Sequence, residues 1–137
     1  MSAVGAARLA AALAALLLGS DTALAYQPQV NYMLQCMGCH RPDGSGEPGR
    51  VPSVRRTLVR FARLAEGRRY LVSVPGAAQS RLTDAELAEL INWMMDHLSD
   101  LPATGIAPFT AAEVTRNRRP PLIEVSATRA RLIDQTR

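Results

Sequence analysis

The chain has 137 residues, 47% hydrophobic and only 4% aromatic, with a formal net charge of +4 and two cysteines. That length suits one domain and hardly two. So small a positive charge carries no electrostatic footprint for nucleic acid.

The first segment reads as targeting rather than fold. Arg8 is the one charge before an apolar run from Leu9 to Gly19, and Ala23-Leu24-Ala25 follows. A positive end, a short apolar run and a small-x-small triplet make a secretory signal. The run is shorter than the roughly 20 residues that cross a bilayer. An amphipathic helix of the fold is the competing reading, but Ala and Leu surround such a helix on every side. We expect residues 1–25 to be a signal peptide and the exported remainder, from Tyr26, to carry no transmembrane segment.

Pro28 can open a helix at its first turn, where no amide donor is needed. That helix runs from about Gln29 into Cys36-Met37-Gly38-Cys39-His40. Two thiols in an exported chain ordinarily suggest a disulfide, yet a bridge across two residues restricts the unfolded chain little. A thioredoxin-type redox pair normally follows a strand, and nothing before Cys36 reads as one. Zinc needs a fourth ligand and usually a second cysteine pair, while His97 is the one other histidine. One arrangement uses all three residues. Thiols at i and i+3 on a helical turn can each form a thioether with a haem vinyl group, and the adjacent histidine then faces the iron. This five-residue string is the attachment signal of c-type haem, and histidine is a standard axial ligand. We expect one covalently attached haem c, held by Cys36 and Cys39, with His40 as proximal iron ligand. Such a group would also fill a core poor in aromatics.

Arg41 to Gly49 is a glycine-rich loop. From Ser53 to Glu66, Val54, Leu58, Phe61 and Ala65 share one helical face. Arg55, Arg56, Arg60 and Arg63 take the others, a solvated surface rather than a docking patch. Gly67 is the expected stop. Thr83-Asp84-Ala85-Glu86 is a capping box. Behind it Leu87, Leu90, Ile91, Met94 and Leu98 form a stripe at helical spacing. Trp93 and Met95 widen that stripe beyond half the circumference, so this helix must touch two things. Leu101 to Pro108 is a connector, Phe109 to Glu113 a second cap-like start, and Ser126 to Gln135 a further helix, with Pro120-Pro121 between the last two. The tail, residues 101–137, is too short for a separate domain; it is expected to pack on residues 26–100 or to mediate docking. No phosphate loop, paired-carboxylate pattern or nucleophile elbow is present.

From about Gln29 to Leu98 the chain resembles the single-domain monohaem c-type cytochromes. In that family an aromatic lies four positions before the first cysteine, here Tyr32. A proline twelve positions after the histidine accepts a hydrogen bond from the imidazole Nδ1, and Pro52 stands at that offset. Such a bond fixes the tautomer that presents Nε2 to the iron. The resemblance implies an all-α cytochrome c-like fold in which Tyr32 meets Trp93 where two helices cross. It also implies a periplasmic electron carrier, not an enzyme, taking single electrons from an exported dehydrogenase and passing them to an oxidase or another cytochrome.

One feature departs from the family. Electron-carrying members place a methionine in the loop before the last family helix, often directly before a proline. The loop here is Tyr70 to Gly76, with Val74 in that place. Valine has no donor atom, so we expect no methionine from this loop on the iron. Met33 and Met37 flank the attachment site. The sixth position is then open, water-bound, or reached by Met94 or Met95, with Tyr70 and His97 as remoter donors. An open site would turn the function toward small-ligand binding or peroxidase-like activity.

Overall fold

A computed structural model describes residues 26–137, which form seven helices and no strand; the expected signal peptide lies outside the described residues. The first helix, α1 (Pro28–Gln35), begins on its proline as expected, and its last turn closes when the Cys36 amide donates to the Tyr32 carbonyl at 2.9 Å. The all-α expectation holds.

The single helix expected from Ser53 to Glu66 is instead two pieces, α2 (Leu58–Ala62) and α3 (Ala65–Ser73). The chain turns extended at Leu64, with φ −108° and ψ 138°, and Gly67 does not stop a helix. It lies inside α3, where a Cβ would run into the carbonyl oxygen of Phe61. Glycine is needed because α3 folds back directly onto the end of α2, a close approach that a terminal cap would not demand. The Tyr70–Gly76 loop is likewise only a kink. Tyr70 to Ser73 belong to α3, α4 (Pro75–Ala78) starts at once, and Val74 alone stands between them, extended as a residue before proline must be.

The capping box is formed as expected. The Thr83 hydroxyl accepts from the Glu86 amide at 3.2 Å, the Glu86 carboxylate accepts from the Thr83 amide at 2.8 Å, and α5 (Asp84–His97) follows. Leu87, Leu90, Ile91, Met94, Met95 and Leu98 are all buried. On one side α5 packs on α1, where the rings of Tyr32 and Trp93 lie 5.9 Å apart. Tyr32 is fully buried, whereas Trp93 is half-buried and stacks on His97 at 5.0 Å.

A second partner of α5 is α6 (Ala111–Asn117), which Thr110 caps by accepting from the Glu113 amide. The side-chain amide of Asn92 both donates to and accepts from the Phe109 backbone, at 3.0 and 2.7 Å, which seats Phe109 in the core. The last helix, α7 (Val125–Gln135), packs on α3 and buries Leu132 against Phe61 and Tyr70. Two apolar clusters result. The larger gathers around α5, and the smaller joins α2, α3 and α7.

Candidate cofactor site

The attachment motif forms one compact turn. The amides of Cys39 and His40 both donate to the Cys36 carbonyl, at 3.1 and 2.9 Å. This turn is one wall of a mainly apolar cavity of about 360 Å³, lined by Cys36, Cys39, His40 and Pro52. That volume is within the range of small-molecule and cofactor sites. Leu58 and Phe61 of α2 and Leu87, Leu90, Ile91 and Met94 of α5 supply further apolar wall.

The loop after His40 is fastened at both ends. The Tyr32 hydroxyl donates to the Arg41 carbonyl at 2.7 Å, so the aromatic that lies four residues before Cys36 holds the stretch of chain leaving the motif. Gly44 takes a positive φ of 78°, and a Cβ there would press on Leu98 and Val54 at 3.1 Å. Its carbonyl accepts from the Val54 amide at 3.0 Å. At the surface Arg55 bridges Asp43 and Asp100, at 3.5 and 2.6 Å.

Burial holds the His40 imidazole below its ordinary pKa, which favours the neutral form that a metal ligand must have. Its Nδ1 is buried with no hydrogen-bond partner. Pro52 lines the same cavity, but the bond from Nδ1 to its carbonyl is not formed in this structure. A buried, unpartnered imidazole nitrogen is rare in a finished site. It fits a ring whose orientation is completed by a group bound in the cavity.

The Cys36 thiol is pushed up to about 11, by burial first and by Cys39 second. A dithiol redox centre works through a depressed thiol pKa, so this environment opposes that reading. Among the described residues no three His, Cys, Asp or Glu side chains converge on a point that could hold a metal ion. Zinc held by Cys36, Cys39 and His40 together would require such convergence. Two thiols and an imidazole that reach different atoms of one large planar group would not. Haem meets the geometry, the apolar wall and the donor set.

Of the sixth-ligand candidates, Met94 and Tyr70 line the cavity, as does Val74. Met95 is buried in the larger apolar cluster instead, and His97 is exposed against Trp93, with Nδ1 2.9 Å from the Trp93 carbonyl. Met33 is exposed and Met37 packs on the larger cluster. Sequence reasoning missed Val125 and Arg129, which α7 brings to the cavity from the far end of the chain. It had no means to find them, because only the return of α7 onto α3 places them there.

A small all-α chain whose CxxCH turn opens on an apolar cavity has the architecture of a c-type cytochrome. No protein-family model matches the sequence, and no solved structure matches it either. It is similar to a cytochrome c-552 of Thermus thermophilus, 31% identical over 125 residues that cover 77% of this chain and 84% of the relative. A second cytochrome c-552 from the same species is 30% identical over 103 residues, covering 61% of this chain and 79% of the relative. The chain belongs to the c-type cytochrome family.

Proposed function

We propose that the protein is an exported, soluble one-electron carrier with a single haem c. The observation that carries this reading is the CxxCH turn set as one wall of a cavity, with a histidine whose pKa burial lowers and whose Nδ1 is buried and unpartnered. Cys36 and Cys39 would hold the group as thioethers, with His40 as the iron ligand. The Pro52 carbonyl would then accept a hydrogen bond from Nδ1–H and fix the ring. When bound, haem supplies a one-electron couple whose potential is set by ligation, hydrogen bonding and burial.

The rest of the chain excludes water from that couple and presents it to partners. The apolar side chains of α2 and α5 lower the local dielectric. Cys39 is exposed, so the thioether edge lies near the surface, where a docked partner can exchange an electron. The partners are an exported dehydrogenase as donor and an oxidase or another cytochrome as acceptor. In this reading residues 1–25 direct export to the periplasm, residues 26–100 hold the haem and residues 101–137 close over them.

The test is expression alongside cytochrome c maturation machinery, then a haem stain on a denaturing gel, where only covalent haem survives. The wild type is expected to stain at one haem per chain by pyridine haemochrome. Cys36→Ala and Cys39→Ala are expected to lose most holo-protein. A purified wild type without covalent haem would overturn the reading.

A further inference from the structure

One wall of the cavity carries none of the attachment residues. It is built by α2, α3 and α7 around Phe61, Tyr70 and Leu132, with Val74 and Val125 packed against them. No methionine or histidine belongs to it. The methionine that does line the cavity, Met94, sits in the middle of α5 and belongs to the larger apolar cluster rather than to this wall. This wall is therefore without a thioether or imidazole donor.

It does carry two hydrogen-bond donors. Arg129 stands with its guanidinium centre 5.6 Å from the Phe61 ring centroid, and Phe61 meets Tyr70 edge-on at 5.5 Å. Both Arg129 and Tyr70 line the cavity. Among the described residues Arg129 forms no salt bridge, and no Asp or Glu lines the cavity to neutralise it. An arginine always keeps its charge and offers five donors. Burial raises the Tyr70 hydroxyl pKa, with the Arg129 charge and its hydrogen bond to the phenol oxygen pulling partly the other way, so the phenol keeps its proton to donate.

We propose that this wall leaves the sixth iron position free of protein ligands and makes it a binding site for a small anion, hydrogen-bonded by Tyr70 and Arg129. The inference rests on haem being held at the Cys36–His40 turn. An unpaired cation and a phenol in an otherwise apolar cavity are worth most to a charged ligand, because the low dielectric strengthens each donor.

The experiment uses the purified holo-protein, with haem content measured first. Azide is titrated into the ferric form and carbon monoxide added to the ferrous form, both followed by absorbance. Carbon monoxide is expected to bind, and azide to bind saturably. Arg129→Leu and Tyr70→Phe are each expected to weaken azide about tenfold, while carbon monoxide, which is neutral, changes less than about twofold. Unchanged carbon monoxide binding also reports that each variant is folded, and Arg129→Lys is expected to recover part of the azide affinity. A methionine-to-iron charge-transfer band in the near infrared, with no reaction to carbon monoxide, overturns this inference and leaves the haem reading standing. Azide affinity indifferent to both substitutions overturns it too, including the case in which Arg129→Leu alters only the pH dependence of the reduction potential; Arg129 would then serve the haem carboxylates. A protein without haem overturns both readings together.

Discussion

Arg118 is only 4% exposed, and its guanidinium is met on all sides. It donates to the carbonyls of Ala77, Ala78, Ser80 and Leu82, at 3.3, 3.2, 2.8 and 2.7 Å, and to Asp84 at 2.9 Å. Those carbonyls belong to the end of α4 and the turn that leads to α5, which give Ala77, Ser80 and Leu82 to the cavity wall. A planar fork with five donors can serve this many acceptors; an ammonium cannot. Arg118→Ala is expected to cost about 3 kcal/mol, because it strands buried carbonyls. Chemical denaturation reads that cost. Asp84 adds a pH signature. Its carboxyl is held below the ordinary value of 3.8, first by the Thr115 hydroxyl at 2.7 Å and then by Arg118. A lowered folded pKa means stability that is present above 3.8 and lost as pH falls through the folded value. Asp84→Asn should therefore flatten the acid limb of stability against pH. An acid limb as steep as that of the wild type would place its origin elsewhere. None of this was legible in the sequence, since the Arg118 acceptors lie 34 to 41 residues upstream.

Elements announced themselves where their signals are local. Pro28 and the Thr83–Glu86 box needed only neighbours within one turn, and both helices start where those residues say. The Cys36–His40 motif is local in the same way, and it folds as one turn. Gly67 was misread because a glycine at a helix end and a glycine at a helix crossing look alike in sequence; the difference is the carbonyl of Phe61 lying against it. That difference decides the sign of a substitution. Alanine gains about 1 kcal/mol of helix propensity over glycine, whereas forcing an atom into a packed contact costs about 1–3 kcal/mol. Gly67→Ala is therefore expected to destabilise by up to about 2 kcal/mol and to push α3 off α2. Because Phe61 and Tyr70 line the cavity from those helices, near-ultraviolet circular dichroism should change as well. A stabilised Gly67→Ala variant would mean that α2 and α3 stand further apart than described.

At the scale of the molecule, the two apolar clusters have different histories in the chain. The larger gathers side chains of α1, α2, α3, α5 and α6, and the smaller is completed only when α7 returns to α2 and α3. The cavity takes Cys36, Leu90 and Met94 from the first cluster's side and Phe61, Tyr70 and Val125 from the second's, so a group filling it touches both. A ligand bound only by the folded state stabilises whatever it bridges. Without that bridge the smaller cluster depends largely on Leu132, which is 0% exposed. Leu132→Ala is expected to cost about 2–5 kcal/mol, the range for a buried leucine, and the loss should concentrate in α7. Amide hydrogen exchange separates the cases. In haem-loaded protein the α7 amides should exchange together with those of α5, as one cooperative unit. In Leu132→Ala the α7 amides should exchange much faster while α5 stays protected, because α5 keeps its contacts with α1 and α6. Equal loss of protection in both helices would show that the two clusters unfold as one and that α7 is part of the central core.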